Sequence, residues 1–308
     1  MKNYENDLIE KIKLTNSIAV IGEAMVELSG NANEIKFSGD SLNTAIYLKR
    51  ELRNKETTVA FFSALGDDSY SKKMIKFIQS EGITTNFIER RTERGPGKYK
   101  IETDKKGERS FHYWRDESAA KTLFSKPCTV TFQDLLGFDL IYMTGVSIAI
   151  LPSKIQEDLL YFFSEFKQKG GLIAFDSNYR ESLWKSKKIA RIMIKKYWQM
   201  VDIALPSLDD EKEIFDLNTQ DDVVKNLKQL GVKFGALKRG SKGPHSLTDN
   251  TNSSSYNIIT KIKDTTAAGD SFNGAYLASL INGSSQGISL TKGHKLASRV
   301  IQNFGAII

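Results

Sequence analysis

Short apolar runs alternate along the chain with stretches in which apolar residues recur every three or four positions. The runs at 17–21, 58–63, 140–144, 172–176, 203–206 and 234–238 predict strands. The three-and-four spacing predicts helices over 41–51, 69–81, 153–169, 186–200, 209–215, 221–230, 271–280 and 292–304. Strands and helices taken in turn make an α/β chain with a doubly wound, mostly parallel sheet. No internal repeat, low-complexity tract or linker interrupts the pattern, so residues 1–308 read as one domain.

One region departs from helical spacing. Residues 97–103 and 109–115 alternate, with Asp104-Lys105-Lys106-Gly107 between them, the signal of a hairpin with a polar, Gly-ended turn. Tyr99, Ile101 and Thr103 share one parity; Phe111, Tyr113 and Arg115 share a parity in the second strand, and His112 takes the other. A hairpin alone is marginal in water. It is expected to pair with an extended segment near residues 34–37 and form a small projecting sheet.

Composition narrows the classes. Of the 308 residues 40% are hydrophobic and 26% charged, the balance of a globular domain. A single cysteine, Cys128, excludes an intrachain disulfide and suggests a reducing compartment. The first thirteen residues lack the apolar stretch of a signal peptide, and the longest apolar run, 140–151, is too short to span a bilayer. A cytoplasmic protein without a membrane partner is expected. The net charge of +7 is spread among acids, and no nucleic-acid-binding motif is present, so no nucleic-acid partner is expected. The three histidines do not cluster with acids at metal-ligand spacing, which favours structural or surface roles.

Chemistry is concentrated in Asp264-Thr265-Thr266-Ala267-Ala268-Gly269-Asp270, a turn of small residues ending in a carboxylate at a helix start. The N–H groups of Ala267, Ala268 and Gly269 would be open to an anion, and a helix N-terminus favours negative charge. Asp270 would stand where a hydroxyl meets a transferred phosphoryl group. The same residues also suit a simple capped helix start. A second glycine turn, Lys238-Arg239-Gly240-Ser241-Lys242-Gly243, follows a predicted strand. Neither a Walker P-loop nor a dinucleotide-binding G-x-G-x-x-G occurs.

The heptapeptide resembles the C-terminal signature of the ribokinase-like (PfkB) sugar kinases. Gly22 with Gly39-Asp40-Ser41-Leu42-Asn43-Thr44-Ala45 resembles that family's N-terminal sugar-binding region, and Ala64-Leu65-Gly66-Asp67-Asp68 its early Gly-x-Asp turn. The resemblance runs from about Ile18 to Ile308. It implies a three-layer α/β/α domain with a mostly parallel central sheet, and a β lid built from segments near 31–39 and 95–116. Tyr99 to Thr103, Gly107 to Arg115 and Asp176-Ser177-Asn178-Tyr179-Arg180 resemble the subgroup that phosphorylates 2-dehydro-3-deoxy-D-gluconate. Ala267, where many relatives carry Gly, is similar to that subgroup.

The resemblance implies transfer of the ATP γ-phosphoryl group to the C6 hydroxyl of this acid. A kinase for fructose or another neutral sugar, or a non-catalytic sugar-binding regulator, are the alternatives. Asp270 would be the base. Gly39, Asn43, Tyr99, Tyr113, Arg115 and Arg180 would bind substrate, the arginines pairing with its carboxylate. Ser207, the 238–243 turn and Asn303 would bind nucleotide. Asp210 or Glu211 would reach Mg²⁺ through water, and a monovalent cation is left open. A homodimer through the lid is expected. Taken singly, the arginines read equally as ion-pair partners, the tyrosines as sheet packing, the two acids as first-turn residues and Asn303 as a helix end.

Overall fold

The computed structural model describes residues 2–28, 35–54, 56–103, 109–248 and 256–308. Its strands are β1 Ser17–Ile21, β2 Met25–Leu28, β3 Ile35–Ser38, β4 Thr58–Leu65, β5 Ile88–Arg90, β6 Gly97–Thr103 and β7 Arg109–Trp114. β8 Leu140–Thr144, β9 Leu172–Asp176, β10 Ile203–Ala204, β11 Ala236–Leu237 and β12 His245–Ser246 follow. The helices are α1 Lys2–Lys13, α2 Asp40–Glu51, α3 Ser69–Ser80, α4 Gly145–Ala149 and α5 Ser153–Gln168. They continue with α6 Lys187–Trp198, α7 Leu208–Phe215, α8 Gln220–Gln229, α9 Ala268–Ile281 and α10 Gln286–Val300.

A six-stranded sheet in the order β10-β9-β8-β1-β4-β5 forms the centre, and its pairings are parallel. Parallel strands are covered on both faces, so they read as continuous apolar runs. Every residue of β8 and β9 is accordingly buried. One face packs Phe62, Ile141, Phe163, Phe175 and Trp198 in a single cluster; the other packs Val20, Phe61, Tyr142, Leu277 and Leu280. The strand order reverses between β1 and β8. In open α/β sheets, ligands bind beyond the carboxyl ends of the strands at such a reversal.

A second, four-stranded sheet has the order β3-β2-β6-β7. The hairpin β6–β7 forms with Tyr99 opposite Tyr113 and Lys100 opposite His112, as the parity predicts. Its turn, 104–108, and residues 31–34 of the expected lid lie outside the described residues. The hairpin does not pair directly with residues 35–38, however. β2 stands between, parallel to β6 and antiparallel to β3.

Other elements also depart from their predicted bounds, β10 keeping only Ile203–Ala204 of the expected 203–206. The segment 234–238 becomes only the two-residue β11, although single bridges from Gly235 to Ala204 and from Lys238 to Ser207 still lay it beside β10. Gly235, at φ 138°, brings the two backbones so close that a Cβ would lie 1.9 Å from Ala204 O. The last helix begins at Gln286 rather than 292. Its packed face is Gln286, Ser289, Leu290 and Gly293 before Leu296, so its first half carries little apolar signal.

Candidate active site

Two cavities meet at the carboxyl edge of the central sheet. The larger, about 760 Å³, is walled by the ends of β1, β8 and β9, the start of α2, the small sheet and the turn before α9. The smaller, about 370 Å³, lies between the 239–244 turn, residues 257–262 and α10. They share Ser207, Lys238, Thr265, Ala268 and Gly269.

The turn before α9 leaves backbone N–H groups without backbone acceptors among the described residues. Ala267 takes the left-handed conformation, φ 59° and ψ 16°, to start the helix. The expectation of three open N–H groups at Ala267, Ala268 and Gly269 needs one correction. Ala268 N–H bends back to Thr265 O at 3.2 Å, because the left-handed residue before it closes a tight turn. The N–H groups of Ala267, Gly269 and Asp270 have no backbone acceptor among the described residues. Asp264 fixes the turn by accepting from Thr266 N at 3.0 Å, Thr266 Oγ1 at 2.7 Å and Gly305 N at 2.8 Å.

Asp270 sits in the first turn of α9, with Oδ2 accepting from Asn43 Nδ2 at 2.9 Å. Burial pushes its carboxyl up to about 8, and the charges of Asp40 and Asp176 push the same way, against Asn43 and Lys238. Gly39 makes the approach of α2 possible. Its φ is 149°, and a Cβ would lie 2.2 Å from Glu23 O. Asp40 then enters the cavity wall, taking hydrogen bonds from Thr144 Oγ1 at 2.6 Å and Asn178 Nδ2 at 2.7 Å.

At the small sheet, Arg115 forms a buried ion pair with Glu23. Burial nevertheless holds the Glu23 carboxyl above its ordinary value. Arg115 Nε is buried without an acceptor, an orphan donor of the kind that a ligand carboxylate satisfies. Tyr99 is buried and donates to Glu27 Oε2 at 2.5 Å, while Tyr113 lies half-exposed with its ring 5.9 Å away. At the sheet edge, Arg180 is largely exposed, donates to Tyr179 O at 2.7 Å and lies 3.8 Å from Asp210. Asp210 is pushed up to about 6 by burial and by Asp176.

The sequence profile of the pfkB family carbohydrate kinases matches residues 15–308. The chain belongs to that family. Over 304 residues it is 39% identical to a 2-dehydro-3-deoxygluconokinase of Escherichia coli K12, covering 96% of this chain and 98% of the relative. A 2-dehydro-3-deoxygluconokinase of Dickeya dadantii is 39% identical over 303 residues, covering 96% and 97%. The solved 2-dehydro-3-deoxygluconokinase of Thermotoga maritima superposes with a TM-score of 0.82 over 96% of this chain and 95% of that one. At 17% identity, it speaks to the fold.

In this carbohydrate kinase the larger cavity gathers Gly39, Asn43, Tyr99, Tyr113, Arg115, Arg180, Asp210 and Asp270, which are distant in sequence. Four expected residues stand elsewhere or are otherwise engaged. Glu211 is one step round α7 from Asp210 and wholly buried, facing Ser177 and Trp198, where burial pushes it up to about 8. Lys242 is exposed and off both cavity walls. Arg239 does line the smaller cavity, but its guanidinium closes its own turn through Gly243 O at 2.9 Å and Lys242 O at 3.0 Å. Asn303 donates to Arg299 O at 2.8 Å, as a residue closing the end of α10 does.

The sequence reading passed over Glu23, Asp40, Asp176 and Asn178. Asp40, Asp176 and Asn178 fall inside the motifs that carried the resemblance, so their positions were in view although their roles were not. His294, expected to have a structural or surface role, lies on the wall of the smaller cavity with its ring 4.8 Å from that of Tyr256. Among the described residues, no helix is long and apolar enough to cross a membrane.

Proposed function

We propose that this kinase transfers the γ-phosphoryl group of ATP to the C6 hydroxyl of 2-dehydro-3-deoxy-D-gluconate. The observation that carries the reading is one cavity holding both Asp270, under an anion-binding turn, and Arg115, a fixed guanidinium with an unsatisfied donor. The relatives of Escherichia coli and Dickeya dadantii, each 39% identical, bear the name of that activity. Arg115 and Arg180 hold the substrate carboxylate, Tyr99 and Tyr113 pack its chain, and Gly39 and Asn43 meet its polar groups. Asp270 takes the hydroxyl proton. Its carboxyl, pushed up near the working pH, suits a general base. The N–H groups of Ala267, Gly269 and Asp270 face the charge that builds on the transferred group.

ATP lies across the smaller cavity, its base between Ile259, Ile262, His294 and Ala297, its phosphates toward Ser207 and the 240–243 turn. Magnesium fits where the cavities meet. Asp210 lines the larger cavity three residues after the shared Ser207, a carboxylate beside the expected phosphates. That suits an ion that keeps its waters and binds phosphates. Asp210 would hold it through water, and it would supply charge neutralisation at the phosphate oxygens. A second copy of the chain is proposed to cover the lid.

An ADP-release assay with ATP and Mg²⁺ across this acid, its galactonate epimer, fructose and ribose tests the reading. Turnover of the acid well above fructose is expected. Arg180→Ala should raise KM for the acid about ten- to hundred-fold, the loss of a charge-assisted hydrogen bond worth about 1.5–3 kcal/mol. Preference for fructose, with Arg180→Ala silent, would establish the neutral-sugar alternative.

A further inference from the structure

Lys238 is the one charged side chain, among the described residues, that lines both cavities. Its tip is held by Asp176, which lines the larger cavity alone of the two, and by the buried Asn273. Nζ pairs with Asp176 and donates to Asn273 Oδ1 at 3.2 Å, while Asn273 Nδ2 returns to Asp176 Oδ2 at 2.6 Å. The three groups close a loop, extended by Asn273 Nδ2 to Tyr142 OH at 3.1 Å. Asp176 and Asn273 are buried, and the lysine side chain is 11% exposed. This places the ammonium beneath the anion turn, 3.8 Å from where a Cβ on Gly269 would stand. A lysine that only gripped the nucleotide would not need its tip fixed by two buried partners at the boundary with the acceptor.

We propose that Lys238 is a catalytic residue for the transfer itself, its ammonium facing the phosphoryl group as that group crosses from one cavity to the other. Asp176 and Asn273 are positioning residues. The inference rests on the ATP-to-hydroxyl reading above but not on the identity of the acceptor. In the step, the acceptor oxygen bonds to the γ-phosphorus and the bond from phosphorus to the β–γ bridging oxygen breaks. The hydroxyl proton goes to Asp270, and the nucleoside diphosphate leaves with the bond's electron pair. Lys238 exchanges no proton and forms no covalent bond. It offsets charge on the moving oxygens, the role for which one fixed donor is worth about a hundred- to thousand-fold in rate.

Lys238→Met and Lys238→Arg are compared with the wild type on whichever sugar of the acceptor panel the wild type phosphorylates. Failure on the sugar acid therefore counts against the substrate reading and leaves this test standing. For Lys238→Met, kcat should fall about a hundred-fold or more. The dissociation constants of a non-hydrolysable ATP analogue and of the acceptor, measured by calorimetry, should stay within a few-fold. Lys238→Arg keeps the charge and should recover part of kcat, which a purely structural role would not allow if both variants melt alike. Asn273→Leu should lower kcat while leaving both dissociation constants in place. A kcat within a few-fold of wild type in Lys238→Met overturns the proposal. So does loss of analogue binding with kcat at saturation intact, which would make Lys238 a nucleotide anchor only.

Discussion

Asp270 carries opposite demands for stability and for chemistry. As a base it must be ionised, yet burial and the charges of Asp40 on α2 and Asp176 on β9 favour the protonated form, opposed by Lys238 beside β11 and by Asn43. With its carboxyl near 8, kcat/KM for the acceptor should climb about tenfold per pH unit below that value and level off above it. A flat profile between pH 6 and 8 would show that Asp270 ionises freely. The stability consequence has a definite sign. Between the ordinary aspartate value of 3.8 and about 8, the folded chain binds one more proton than the unfolded chain. Stability from this group is therefore full below the lower value and is lost as pH rises through the higher one. Asp270→Asn removes that loss. It should abolish turnover and melt higher than the wild type, the gain widening from pH 4 to pH 8, as read by thermal scans at several pH values. Asp270 itself was legible, because the turn that presents it is contiguous. The three charges that tune it come from separate segments, and no local pattern could bring them together.

The helix starts show the same divide between what is local and what is not. β1, β4, β8 and β9 were legible because strands covered on both faces must be apolar throughout. β2 was not, because its four residues include Glu27, a buried carboxylate whose partner, the hydroxyl of Tyr99, lies seventy-two positions away. The small sheet was therefore foreseen without the strand that joins its parts. The α9 turn was recognised by its small residues, but the reason for their size lies in the backbone. Ala267 is left-handed, which costs a residue with a Cβ about 1–2 kcal/mol. A β-branched side chain there is a genuine outlier. Ala267→Val should therefore lower stability by about 1–3 kcal/mol in urea titrations. It should also cut kcat more than it raises either KM, since the misplaced N–H groups serve the transfer. Ala267→Gly relieves the strain while adding unfolded-chain entropy, and should stay within about 1 kcal/mol of wild type with activity kept. A valine variant as stable and active as the wild type would show that the turn tolerates another backbone.

The assembled chain divides the work between its sheets. The central sheet and α9 carry Asp176 and the proposed base Asp270, while the small sheet and the residue after it bring Tyr99, Tyr113 and Arg115 to the same cavity. In that small sheet β7 is an edge strand, and an uncovered edge invites pairing with another chain. Its last two residues, Tyr113 and Trp114, are each 55% exposed, adjacent aromatics of the kind that anchor protein interfaces. Tyr113 is also part of the cavity wall, so a second copy docked on this edge would shield the substrate as well as the aromatics. The wild type should therefore scatter light with the mass of two chains. Trp114→Glu should shift it toward one chain, since an aromatic anchor is worth about 2 kcal/mol or more, at least thirty-fold in the dissociation constant. Because Asp270 and Lys238 stand outside the small sheet, the same substitution should raise KM for the sugar acid and leave kcat within a few-fold. A wild type with the mass of one chain would remove the lid interface. A two-chain mass unchanged by Trp114→Glu would place the contact elsewhere on the molecule.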